Sequence, residues 1–236
     1  LIHTVAETGS TNADLAARLR RGEYVPEGDW LIAERQSAGR GRQGRDWFDG
    51  YGNFMGSTVV HPSDRDPPAH TLTLVASLAL YEAVVQLLPE PGMLTLKWPN
   101  DLMLSGDKLS GILLEREGDA IIVGIGVNLA IAPDLPDRAT SSLADVGPAP
   151  DCELFATTLA GHFSRELDRW RQFGLEPIRN RWMAAAHPVG TPLSVHDGAN
   201  TSQSGTFAGL APEGSLLLRL EDGTTRAIHA GDVLLA

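Results

Sequence analysis

The chain has one cysteine, Cys152, in 236 residues. This excludes an intramolecular disulfide and a multi-thiolate metal centre, and it fits a reducing, cytoplasmic setting. Long apolar runs are also missing. Stretches such as 78–81 and 182–186 are far too short to cross a bilayer, so no membrane role is expected. The opening Leu-Ile-His-Thr-Val lacks the basic and apolar regions of a secretory signal. Basic residues are outnumbered, 19 Lys and Arg against 30 Asp and Glu, giving a formal charge of -11. That balance argues against a protein that coats DNA or RNA through many phosphate contacts. No Gly-Lys-Ser or Gly-Lys-Thr occurs, and no glycine fingerprint follows a strand and opens a helix. The standard nucleotide folds are therefore not indicated by motif. What remains is an ordinary globular composition, 42% hydrophobic and 21% charged, which excludes wholesale disorder.

Residues 10–12, Ser-Thr-Asn, precede a helix predicted over 13–21, with Leu15 and Leu19 on one face and Gly22 as the stop. Strands are predicted over 30–34, 54–60, 94–98, 108–115 and 120–129, the last two joined into a hairpin by Glu117-Gly118-Asp119. Helical spacing marks 72–88, through Leu74, Leu78, Tyr81, Val85 and Leu88. A proline-rich connector spans 133–150 around a short segment at Leu143. Helical spacing then returns from Phe155 to Trp170 and near Ile178 and Trp182. After Pro188 the texture becomes short strands, at 191–196, 206–210, 215–220, 224–229 and 233–235, with turns at Asp197-Gly198, Glu213-Gly214 and Asp222-Gly223. This predicts an α/β (α+β) body over residues 1–188 and a small all-β barrel over 189–236.

Three segments carry chemistry. The first is residues 36–47, Gln-Ser-Ala-Gly-Arg-Gly-Arg-Gln-Gly-Arg-Asp-Trp, which interleaves fixed positive charge with glycine inside an acidic chain. Arg40, Arg42 and Arg45 are guanidinium forks suited to phosphate and carboxylate, and Gly39, Gly41 and Gly44 allow close backbone approach; the bland alternative is a solvated turn. The second is Lys97-Trp98-Pro99-Asn100-Asp101 with Lys108 and Gly111. Asp101 is a candidate for orienting Mg²⁺ on phosphates and Lys108 for stabilising developing charge, against the alternatives of a turn residue and a surface lysine. In the third, Gly124, Gly126 and Asn128 lie along one strand, whose glycines make room for a ligand or another backbone. Trp47 and Trp98 flank these motifs as candidate pocket walls, whereas Trp182 reads as a core anchor.

In this order, and over residues 8–130, the segments resemble biotin protein ligases, the biotin-[acetyl-CoA-carboxylase] ligases. The resemblance implies a mixed sheet like that of class II aminoacyl-tRNA synthetases, flanked by helices, with a C-terminal SH3-like barrel. It implies an enzyme that uses ATP, biotin and Mg²⁺ to make biotinyl-5'-AMP and pyrophosphate. The biotin then passes to a lysine of a biotin carboxyl carrier protein or domain of acetyl-CoA carboxylase or a related carboxylase. On this resemblance Lys108, Arg42 and Arg40 are catalytic. Ser10, Thr11, Asn12, Gln36, Gly39, Arg40, Gly41, Arg42, Arg45, Trp47, Lys108, Gly111, Gly126 and Asn128 surround biotin and the adenylate. A homodimer is compatible with it. Gln43 departs from the arginine frequent at that loop position. The short lead before Ser10 matches the monofunctional type, without an upstream DNA-binding domain. Two alternatives stay open: a lipoate or other acyl-protein ligase on the same architecture, and a non-catalytic nucleotide- or peptide-binding protein.

Overall fold

The computed structural model describes residues 1–196 and 202–235. A seven-stranded sheet forms from β1 (Ile2–Thr8), β2 (Trp30–Gln36), β3 (Phe54–Val60), β4 (Leu94–Lys97), β5 (Asp101–Leu104), β6 (Asp107–Glu117) and β7 (Ala120–Val127), in the order β1-β2-β3-β7-β6-β5-β4. β1 runs parallel to β2, and the remaining neighbours are antiparallel. Four α-helices among the described residues accompany it: α1 (Thr11–Arg20), α2 (Leu72–Val85), α3 (Cys152–Phe173) and α4 (Leu175–Ala185).

β3 and β7 are buried along their whole length because helices cover both faces of the sheet there. On one face Ile121, Val123, Ile125 and Val127 join the main core with residues of α2, α3 and α4, including Trp170 and Trp182. On the other, Ala120, Ile122 and Val59 pack against Leu15 of α1. α2 is buried nearly all round, not on one stripe; it is an interior helix, which is why its spacing reads as both three and four. α1 starts at Thr11, two residues before the sequence expectation, with Ser10 at its N-cap.

A second sheet holds β8 (Pro192–His196), β9 (Ser202–Leu210), β10 (Leu216–Arg219), β11 (Thr225–Ile228) and β12 (Asp232–Leu235), ordered β11-β10-β9-β8-β12. The five predicted strands are present, but the predicted SH3-like barrel is not: the sheet is open, with β11 and β12 at opposite edges and no pairing between them among the described residues. The reason lies in what the two edges face. β11 is exposed, while β12 is engaged by the first unit: Asp232 pairs with Arg45 of the loop between β2 and β3, and the Val233 carbonyl accepts from Lys97 Nζ of β4 at 3.1 Å. The predicted Asp197-Gly198 turn lies outside the described residues. Leu193, Val195, Phe207, Leu216 and Leu218 continue the core of the first sheet. No helix among the described residues is long and apolar enough to cross a membrane.

Candidate active site

Strict alternation along β7 puts Gly124 and Gly126 on the α1 face, opposite the core. A Cβ at 124 would come 2.3 Å from Asn12 Oδ1, and one at 126 would come 2.2 Å from Trp47 Cε2. The missing side chains are thus filled by two residues brought from α1 and from the Arg/Gly loop. β6 supplies Gly111, paired with Gly126, and a Cβ there would lie 3.2 Å from Trp47 and 3.4 Å from Lys108 Nζ. Lys108 and Gly111 are three apart, so an unbroken strand would point them to opposite faces. The register slip that pairs Leu102 with Ser110 but Met103 with Lys108 restores them to one face.

One end of the cavity is a buried polar relay. Gln36 Oε1 accepts from Thr11 N at 2.8 Å and Thr11 Oγ1 at 3.1 Å. Thr11 Oγ1 lies 2.7 Å from Ser57 Oγ, which donates to Asn12 Oδ1 at 2.5 Å. Asn12 Nδ2 donates to Glu115 at 2.7 Å. Fixed donors and acceptors of this kind suit a neutral, polar head group.

The middle of the cavity is cationic. Asp101 is not in a loop; it begins β5, after a cis Trp98–Pro99 peptide, and is buried. Its carboxylate lies between Lys97 Nζ, 3.1 Å from Oδ2, and Lys108 Nζ, 2.6 Å from Oδ1. Burial pushes the carboxyl up, but the two ammoniums outweigh it and hold it below its ordinary value. Burial pulls Lys108 below its ordinary value, with Asp101 opposing. Burial also lowers Arg42, which donates to Asn100 Oδ1 at 3.1 Å and to the Gly231 carbonyl at 3.4 Å. As a magnesium ligand Asp101 fits poorly, since each oxygen already faces a lysine. No group of three or more His, Cys, Asp or Glu among the described residues is placed to hold a metal.

The loop closes the third side. The backbones of Arg40 and Asp46 form an antiparallel bridge, and the Arg40 guanidinium lies 3.4 Å from Glu115. Gln43 stands at φ 57, in the left-handed region, and its Oε1 accepts from Arg45 at 2.9 Å. Together these walls enclose about 870 Å³.

Comparison with known proteins gives the geometry a lineage. Residues 8–130 match the biotin/lipoate A/B protein ligase family, and residues 195–235 match the biotin protein ligase C terminal domain. The chain belongs to the biotin/lipoate A/B protein ligase family. A biotin-[acetyl-CoA-carboxylase] ligase of Paracoccus denitrificans is 41% identical over 91% of this chain and 92% of its own length. One from Mycobacterium tuberculosis is 35% identical, covering 99% of this chain and 88% of that protein. Among solved structures, the biotin protein ligase of Aquifex aeolicus in complex with biotin and ATP superposes with a TM-score of 0.87 at 25% identity, covering 100% of this chain and 99% of that one.

For this member of the biotin/lipoate ligase family, the cavity gathers Ser10, Thr11, Asn12, Gln36, Arg40, Gly41, Arg42, Arg45, Trp47, Trp98, Asp101, Lys108, Gly111, Gly126 and Asn128 from across the chain. Gly39 is not on the wall; it packs behind, where a Cβ would meet Gln36 Nε2 at 3.1 Å and the Trp47 carbonyl at 3.2 Å. Sequence reasoning missed Ser57, Arg138 and Asp232, which also line it. Ser57 sits in an apolar strand and Asp232 in the second sheet, and no local pattern marks either. Lys97 stands in the Lys-Trp-Pro-Asn-Asp segment, and its role follows from the buried Asp101 carboxylate beside it.

Proposed function

We propose that the chain activates biotin with MgATP to biotinyl-5'-AMP and pyrophosphate, and passes the biotinyl group to a lysine of a biotin carboxyl carrier protein or domain. The observation that carries this reading is one cavity with two chemistries: a neutral relay at Gln36, Thr11, Ser57 and Asn12, joined to a cationic centre at Lys97, Lys108 and Arg42. The relay suits the ureido head of biotin, whose N–H and C=O groups need buried partners. Lys108 and Arg42 suit the meeting of biotin's carboxylate with the α-phosphate, where like charges must be offset.

In the first step a carboxylate oxygen bonds to the α-phosphorus, the bond from that phosphorus to the bridging oxygen breaks, and pyrophosphate leaves with the electron pair. In the second, the acceptor amine attacks the acyl carbon, loses a proton, and AMP departs. Asn128 Nδ2 donates to the Ser141 carbonyl at 3.1 Å while its buried Oδ1 has no protein partner, an acceptor suited to an adenine amine. Magnesium arrives on the nucleotide phosphates as part of the substrate. Arg40 and Arg45 fasten the loop, and Trp47 covers the glycine floor, excluding water from a hydrolysable mixed anhydride. Residues 1–188 are the catalytic unit in this reading, and residues 189–236 supply the wall at Asp232.

Incubation with biotin, MgATP and an apo carrier domain tests it, with pyrophosphate release and labelled carrier as readouts. Lipoate offered in parallel separates the neighbouring activity, because a lipoyl ring presents no ureido group to the relay.

A further inference from the structure

The segment 130–142 carries no motif, yet it is fastened to the catalytic lysine. Lys108 N donates to the Ala139 carbonyl at 3.0 Å, and Ser141 N donates to the Lys108 carbonyl at 3.0 Å; Lys108 and Thr140 form a parallel bridge. These bonds bring Arg138 to the cavity wall alongside Lys108 and Arg45. Each of the other cations of the wall links two elements: Lys97 of β4 and Lys108 of β6 both reach Asp101 of β5, Arg40 reaches Glu115, Arg42 Asn100 and Arg45 Asp232. Arg138 instead pairs, among the described residues, with its chain neighbour Asp137, whose side chain is 57% exposed. Asp137 accepts from both Nε and Nη2 of Arg138, but a pair of chain neighbours with an exposed carboxylate is worth little, and releasing this guanidinium to an incoming anion undoes no link between elements. Its positive charge is felt at Lys108 and Arg45.

Resting on the adenylation reading above, we propose that Arg138 is the clamp for the departing pyrophosphate, held by Asp137 until that anion takes its place. Charge builds on the bridging and β-phosphoryl oxygens as the bond from the α-phosphorus breaks, and a guanidinium fork fits two phosphoryl oxygens at once. The second step expels AMP and not pyrophosphate, so Arg138 acts chiefly in the first.

The test is calorimetric titration of magnesium pyrophosphate into the wild-type chain, Arg138→Ala, Arg138→Lys and Asp137→Asn, with biotin titrations and thermal melts alongside. Arg138→Ala is expected to weaken pyrophosphate binding roughly 10- to 100-fold and Asp137→Asn to tighten it. Arg138→Lys, which keeps the charge but not the fork, is expected to weaken binding severalfold, and it decides the matter if Arg138→Ala does not fold. In kinetics, Arg138→Ala should slow adenylation at least about tenfold more than transfer from supplied biotinyl-5'-AMP. Pyrophosphate affinity unchanged in both Arg138 variants, or equal losses in the two half-reactions, overturns the proposal. Arg138-dependent pyrophosphate binding without adenylate formation would instead leave the clamp standing and remove the proposed reaction.

Discussion

Lys108 and Asp101 show how one buried pair sets both chemistry and stability. Lys108→Ala and Arg42→Ala are each expected to lower the adenylation rate roughly 10²–10³-fold, the usual cost of losing a positioned charge donor. Lys97 lies 3.1 Å from Asp101 on the side away from Lys108, so removing Lys108 should leave the carboxylate a partner, and the melting temperature should move by only a few degrees. A thermal melt beside single-turnover kinetics checks both halves. The pair also fixes a pH dependence. Asp101 is held below its ordinary value of 3.8, so its ionised form stabilises the fold above that value, and the contribution is lost as pH falls through the depressed folded value. Lys108 acts in the opposite sense: held below 10.5, it costs stability at neutral pH, and the cost is relieved as pH rises through its folded value. Unfolding midpoints of Asp101→Asn measured from pH 7 down to pH 2 should therefore flatten relative to wild type.

Among the elements, β7 decides the shape of the cavity. Gly126→Ala should drive Trp47 off the glycine floor, because the added methyl would lie 2.2 Å from Cε2. Adenylate formation is then expected to fall on the order of 100-fold, with a shift in tryptophan emission. Trp47→Ala in the same chain should recover part of the loss, a non-additivity that a double-mutant cycle reads directly. These glycines were legible in the sequence because an apolar strand rarely spends two of them without a reason. The hairpin from β6 to β7 was legible too, from its Glu-Gly-Asp turn. Other elements were not. β1 is exposed along most of its length and so has no hydrophobic alternation to announce it. Asp101 reads as a turn residue because the Trp98-Pro99-Asn100 sequence that precedes it does form a tight reversal, and only the pairing of Lys97 with Asp101 shows that a strand begins there. The bulge that turns Lys108 towards Gly111 defeats any strict period-two reading of β6.

For the whole molecule, the second sheet contributes a wall and not a detached accessory. Its strands were countable from spacing and Gly-containing turns, but closure into a barrel was not, because β12 is taken up by Arg45 and Lys97 of the first unit. Asp232→Ala should loosen the Arg/Gly loop and raise the dissociation rate of biotinyl-5'-AMP by about two- to fivefold, the scale of a part-exposed ion pair. Stopped-flow release of the adenylate measures it, and high salt should mimic the substitution in the wild-type chain. The central claim, that one cavity joins biotin to ATP and hands the product to a protein lysine, is tested most directly by following pyrophosphate release and mass increase of an apo carrier domain in a single reaction. The account predicts magnesium-dependent pyrophosphate release with biotin, and one biotinyl group added to the carrier. Folded protein that binds biotin and ATP yet yields neither pyrophosphate nor modified carrier would contradict it.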